Sequence, residues 1–97
     1  MNNDKINKET FKELGAYIGE TIKAVRRVRG KSKADLAVLL RNEYDWITTI
    51  DLIAQIERDE RKLSFEEFLD ICDALGLSPE EMLACAKLAK QESENFS

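Results

Sequence analysis

Three short stretches, SKAD at residues 32–35, SFEE at 64–67 and SPEE at 78–81, repeat one pattern: a serine followed three positions later by an acid. The serine oxygen accepts from the backbone N–H three residues on, and the acid accepts from the serine's own N–H, so each stretch satisfies two donors that a new helix leaves open. Each therefore predicts a helix start. Gly30 and Gly76 fall where the preceding helices must end, because helices are commonly closed by a residue in left-handed geometry. Pro79 takes the first position of the helix opened at Ser78, where the N–H it lacks would have had no partner. With only four Gly and a single Pro in a chain rich in Ala, Leu, Ile, Lys and Glu, the predicted class is all-α.

Between these marks the apolar residues run with helical spacing. Phe11, Leu14, Ile18, Ile22, Val25 and Val28 trace one stripe and predict a first helix up to Gly30. A second helix runs from Lys33 to about Arg41 and buries Leu36, Leu39 and Leu40. The third opens either at Thr48, which with Asp51 makes a further capping box, or at Thr49 as N-cap, and continues to Arg58. Its inner side carries Leu52, Ile53 and Ile56; Asp51, Ala54, Gln55 and Arg58 face outwards, with Ile50 at the border. Phe65, Phe68, Leu69, Cys72 and Leu75 mark the fourth helix, and Met82, Leu83 and Ala86 the fifth, with Leu88 as a further candidate. The expected organisation is a flexible segment over 1–10, one domain over 11–91, and a disordered tail over 92–97, where ESENFS is polar.

The net charge of −4 conceals an asymmetry. Up to Lys33 there are nine Lys/Arg against four Asp/Glu; from Ala34 onwards there are six against fifteen. The stretch KAVRRVRGKSK at 23–33 holds six cations and no acid, a local field compatible with a polyanion despite the overall balance. The usual fate of such a run is a solvated helix face. No apolar window is long enough for a membrane span and the N-terminus has no apolar leader core, which predicts a soluble, cytoplasmic protein. Cys72 and Cys85 lack the spacing of a metal pair and the chain has no His, so the expectation is no metal and two reduced, half-buried thiols. Without a His base, a phosphate-binding glycine loop or a nucleophile elbow, and with Asp70, Asp73, Glu80 and Glu81 on helix surfaces or in caps, no enzyme and no cofactor are expected.

The frame IGETIKAVRRVRGKSKADLAVLL followed by IAQIERDERKLSFEEFLDICDALGLSPEEML resembles the Cro/C1-type (Xre-like) helix-turn-helix family over residues 18–83. The likeness rests on SKADLA at the entry to the second helix, the I-x-x-I-E run ending the third, the basic link before Ser64, and the close DALGLSPEEML. The resemblance implies a five-helix, lambda-repressor-like domain. One departure is the span from Leu36 to Ile56, longer than the family frame implies and similar in this to the POU-specific domain, with its extended helix 2 and longer connection. The second helix is therefore expected to run past Arg41, with Tyr44, Trp46 and Ile47 tucking the connection onto the domain. Tyr44 and Trp46 as packed cover is the plainer reading; an exposed Trp46 would be a partner site.

The family docks its third helix in the major groove of double-stranded DNA and sets the start of the second near a phosphate. Carried onto this chain, that implies Lys31 and Lys33 at the head of the second helix on phosphate, and Thr48 and Thr49 on the DNA backbone. Ile50, Asp51 and Gln55 fall at base-reading positions, where Ile meets a thymine methyl, Asp accepts from cytosine N4 and Gln pairs with adenine; Asp51 is equally readable as a plain capping residue. Arg58, Arg61 and Lys62 complete the DNA-binding set, while Arg26 and Glu57 are implied to form a structural ion pair. The implied function is a sequence-specific, repressor-like transcriptional regulator acting as a homodimer, with ACAKLAKQ of the fifth helix as interface. The competing reading is a protein-binding module on the same scaffold, antirepressor or antitoxin-like, favoured by the acidic second half and by Ile50 and Asp51.

Overall fold

The computed structural model describes residues 4–95, which form six helices and, among the described residues, no strand. They are α1 (Asp4–Glu13), α2 (Gly15–Val28), α3 (Lys33–Tyr44), α4 (Ile50–Glu57), α5 (Phe65–Leu75) and α6 (Pro79–Asn95). The three serine boxes are all formed. Ser32, Ser64 and Ser78 Oγ accept from the N–H of Asp35, Glu67 and Glu81 at 3.0, 3.1 and 3.1 Å, and each acid accepts from its serine's N–H at 2.9 Å. Gly30 and Gly76 stand at φ 70° and 76°, the left-handed geometry in which a side chain is strained. No helix among the described residues is long and apolar enough to cross a membrane.

The first expected helix is in fact two, broken at Leu14 (φ −98°, ψ 10°). The apolar spacing is the same on both sides of the break, so periodicity cannot reveal it. Packing can. The bend lets Phe11 meet Phe68 at 4.8 Å and Phe65 edge-on at 5.7 Å between ring centroids, brings the Lys8 ammonium to 5.8 Å from the Phe65 ring centre, and places the buried Asn7 so that Nδ2 donates to Glu80 Oε1 at 2.7 Å. Residues 4–10, expected to be a flexible segment, are thus helical and joined to the head of α6, while 1–3 lie outside the described residues. At the other end, 92–95 continue α6 where a disordered tail was expected; 96–97 lie outside the described residues.

The long connection is used as helix first and as a strap second. α3 continues to Tyr44 and closes on Asp45 in left-handed geometry (φ 58°), with Trp46 N–H reaching back to Leu40 O at 3.1 Å. The chain enters α4 through Thr49 in extended geometry (φ −132°, ψ 171°), and exposure alternates along residues 45–49. Trp46 and Thr48 turn inwards, and Ile47 between them is 99% exposed, not tucked. The Tyr44 hydroxyl donates to Asp73, which pushes its pKa up to about 12, and Trp46 Nε1 donates to Asp70 Oδ2 at 2.9 Å. Asp70 and Asp73 stand one turn apart on α5 and receive both polar tips. Trp46 is half-buried, as packed cover rather than an open partner site.

One core is shared by α2–α6: Ile18 and Ile22, Leu36 and Leu40, Ile53 and Ile56, Phe65, Phe68, Ile71 and Leu75, and Met82 with Leu83 and Ala86. At its tightest crossing, Gly19 of α2 lies so near the end of α4 that a Cβ there would stand 2.4 Å from Ile56 O and 2.9 Å from Glu57 O. Gly19→Ala must therefore push α2 off α4, with an expected loss of about 1–3 kcal/mol in denaturant unfolding, against a gain if the site had room.

The two thiols do not share one half-buried fate. Cys72 is fully buried, and burial pushes its thiol pKa up to about 12; Cys85 is exposed on α6. A chromogenic disulfide reagent at neutral pH should therefore titrate one thiol per native chain and two in denaturant.

Candidate nucleic-acid interface

α3 and α4, joined by residues 45–49, are locked to α2 by one buried ion pair. Arg26 of α2 donates from Nε to Glu57 Oε2 at 2.7 Å and from Nη2 to Oε1 at 3.0 Å, while its Nη1 donates to Lys31 O at 2.8 Å in the turn leading to α3. The side chains are only 7% and 2% exposed. Hydrogen bonding to Glu57 raises the Arg26 pKa against the opposing effect of burial, so the guanidinium stays charged. One guanidinium thus fixes the end of α4 and the entry to α3 together.

α4 itself opens at Thr49, whose Oγ1 accepts from Leu52 N–H at 3.2 Å, resolving the choice of N-cap. Ile50, Asp51, Gln55 and Arg58 are exposed, and Ala54 is half-buried, so the outward face of this short helix is the one expected from its spacing. Ile50, placed at the border, is 51% exposed. Thr48 is different: only 4% of it is exposed and its hydroxyl donates to Thr49 O at 3.4 Å, so it is turned into the protein and not towards a ligand. Thr49, Ile50 and Asp51 share a shallow depression with Ala34, Ala37, Val38 and Arg41 of α3.

Arg41 is the residue that sequence reasoning missed. Its Nη1 donates to Thr48 O at 2.9 Å and so holds the strap just before α4 begins. The signal was present once α3 is run past residue 41, because Ala34, Val38 and Arg41 then recur at helical spacing on the face towards α4.

The expected cations divide into paired and unpaired. Lys33 is the first residue of α3, where the capping box uses the N–H groups of Ser32 and Asp35 and helix geometry leaves those of Lys33 and Ala34 without intrahelical partners. Lys31 lies half-buried in the turn before it. Among the described residues, Lys31, Lys33 and Lys62 take part in no ion pair, whereas Arg58 is held by Glu60 and Arg61 by Glu67. Arg61 and Lys62 do not join the depression at the head of α4; they border a groove formed with Phe11, Lys12 and Ala16 of α1 and α2. The link that carries them leaves α4 through Asp59 in left-handed geometry (φ 58°), with Glu60 N–H and Arg61 N–H both directed to Gln55 O at 2.8 and 3.3 Å.

The site is a surface built from two helix starts, suited to lying against an extended ligand rather than enclosing a small one. No cluster of three or more His, Cys, Asp or Glu able to hold a metal occurs among the described residues. Because Glu57 is buried and, among the described residues, ion-paired with Arg26 alone, Glu57→Ala strands the guanidinium and should lower stability by about 3 kcal/mol, measured as a loss in thermal midpoint. Replacing both residues with apolar ones of similar volume should recover much of that loss.

A model of the helix-turn-helix domain family matches residues 18–84. No curated protein and no solved structure matches the chain significantly.

Proposed function

The chain belongs to the helix-turn-helix domain family, and from that premise we propose that it is a sequence-specific, double-stranded-DNA-binding transcriptional regulator. In this reading α2–α6 correspond to the five helices of a lambda-repressor-like, Cro/C1-type domain, α1 is an addition, and the lengthened α3 with its strap is the POU-specific-like departure. The supporting observation is the pairing of two helix starts: a cation, Lys33, at the head of α3, and an exposed polar face, Asp51 and Gln55, on α4, held by Arg26. Lys33 contacts phosphate, and Gln55 reads a base edge in the major groove. Arg61, Lys62 and Lys31 add phosphate contacts, and Ile50 meets a thymine methyl.

A repressor-like action, a cytoplasmic setting and a homodimer belong to the same proposal, with Cys85 and Leu88 exposed on α6 beside Val28 of α2 as the dimer contact. A protein partner is the second reading. It is favoured by Ile47, 99% exposed on the strap, and by Ile50, 51% exposed three residues later in the sequence.

The test separates a charge from a reader. Lys33→Ala should weaken binding to all duplexes alike and reduce the slope of log affinity against log salt by about one, as for one lost phosphate contact. Gln55→Ala should leave the slope unchanged and relax preference at one base pair by about 1–3 kcal/mol. Sequences selected from a random pool, titrated at several salt concentrations, provide both readouts; indifference to both substitutions sinks the DNA reading in favour of a protein partner.

A further inference from the structure

Two arginines at and beyond the end of α4 present guanidinium forks, and each fork is already occupied by a carboxylate. Arg61 donates from Nη1 and Nη2 to Glu67 at 3.3 and 3.0 Å, and Glu67 at the same time accepts from Ser64 N–H at 2.9 Å to cap α5. That acid has a structural task and is partly sheltered, its side chain 27% exposed. Glu60 has no such task. It lies two residues after Arg58, its side chain is 55% exposed, and both of its oxygens accept from Arg58, Nε to Oε2 and Nη2 to Oε1, each at 3.0 Å.

Nε and Nη2 of Arg58 are an edge with which an arginine grips a phosphate or the O6 and N7 of guanine. Arg58 closes the outward face that begins with Asp51, and the Asp51 carboxylate adds to the negative field around it. Resting on the DNA-binding reading above, we propose that Glu60 is a specificity-determining residue: it competes with DNA for the Arg58 fork and is displaced fully only by a site that offers the fork a matching two-point acceptor.

The physical basis is an exchange of partners. An exposed pair of this kind is weak, because water and salt screen it, so DNA can break it. Against an arbitrary duplex, Arg58 trades one anion for another and Glu60 is left facing phosphates, which disfavours the exchange. Against a duplex with guanine in register, both donors regain straight hydrogen bonds. Glu60 therefore weakens binding to all DNA that takes the fork, and weakens binding to the matched duplex most, because only there is the pair broken completely.

The experiment uses the full chain as wild type, Glu60→Gln, Arg58→Ala and the double substitution, titrated against a selected duplex and an unrelated one at several salt concentrations. Glu60→Gln should tighten binding to the selected duplex by about fivefold and to the unrelated duplex by less, raising the specificity ratio, and should steepen the log–log salt slope on the unrelated duplex by about one as Arg58 is freed for phosphate. In the Arg58→Ala background the same change should have little effect. An equal effect of Glu60→Gln with and without Arg58 would show only a general loss of negative charge and overturn the proposal, as would an unchanged specificity ratio. If no variant, wild type included, binds any duplex, the DNA-binding reading fails and this inference with it, a result distinct from DNA binding that is indifferent to Glu60.

Discussion

Everything the exposed face of α4 can do depends on the grip that α2 has on Glu57. Arg26 holds its carboxylate through two hydrogen bonds, and Gly19, two turns earlier on the same helix, lets the α4 backbone come within the space a methyl group would need. The first contact is electrostatic and directional; the second is steric and demands that nothing be there. Together they set the position and angle of an eight-residue helix that is too short to hold its own orientation by packing area. The third bond of Arg26, to Lys31 O, carries the same constraint to the head of α3, so the two helix starts are coupled through one desolvated charge. A buried pair of this kind stabilises little compared with apolar residues of equal volume, but it tolerates few other geometries.

The acidic excess of the second half looks different once its partners are known. Asp35, Glu67 and Glu81 accept from backbone N–H groups in capping boxes, Glu80 accepts from Asn7, and Asp70 and Asp73 receive Trp46 and Tyr44. Hydrogen bonding holds Asp35, Glu80 and Glu81 below the usual carboxylate range, and for Glu67 the bonds from Arg61 and Ser64 outweigh a desolvation that acts the other way. Their charge is not cancelled, but its place is fixed by structural work at helix heads and beneath the strap. Net charge therefore says little about the potential over the outward face of α4, where Arg58 stands among Asp51 and Glu60.

Much of the fold was legible because its signals are local. The serine boxes needed only four residues each, and Gly30, Gly76 and Pro79 needed less; the extension of α3 past Arg41 followed from the length between frames that the resemblance supplied. The outward set Asp51, Gln55 and Arg58 followed from 3.6-residue geometry. What failed was whatever alternates or bends. Ile47 was expected to tuck the connection onto the domain, yet the strap turns Trp46 and Thr48 inwards and leaves the residue between them to solvent. The break at Leu14 leaves the apolar period intact, so α1 was invisible until Phe11 had Phe65 and Phe68 to meet.

The sequence by itself determined where five of the helices begin or end and which side of each is apolar, since those depend on hydrogen bonds and side-chain spacing within one or two turns. Only the tertiary structure decided that Arg26, the expected partner of Glu57, also reaches Lys31 O, that Asn7 reaches Glu80 across 73 residues, that Arg41 steadies the strap, and that Arg58 and Arg61 meet acids before they meet any ligand. The first kind of information is carried by the chain's own short-range geometry; the second arises only when packing has brought distant segments within the few ångströms over which a charged hydrogen bond or a steric clash is felt.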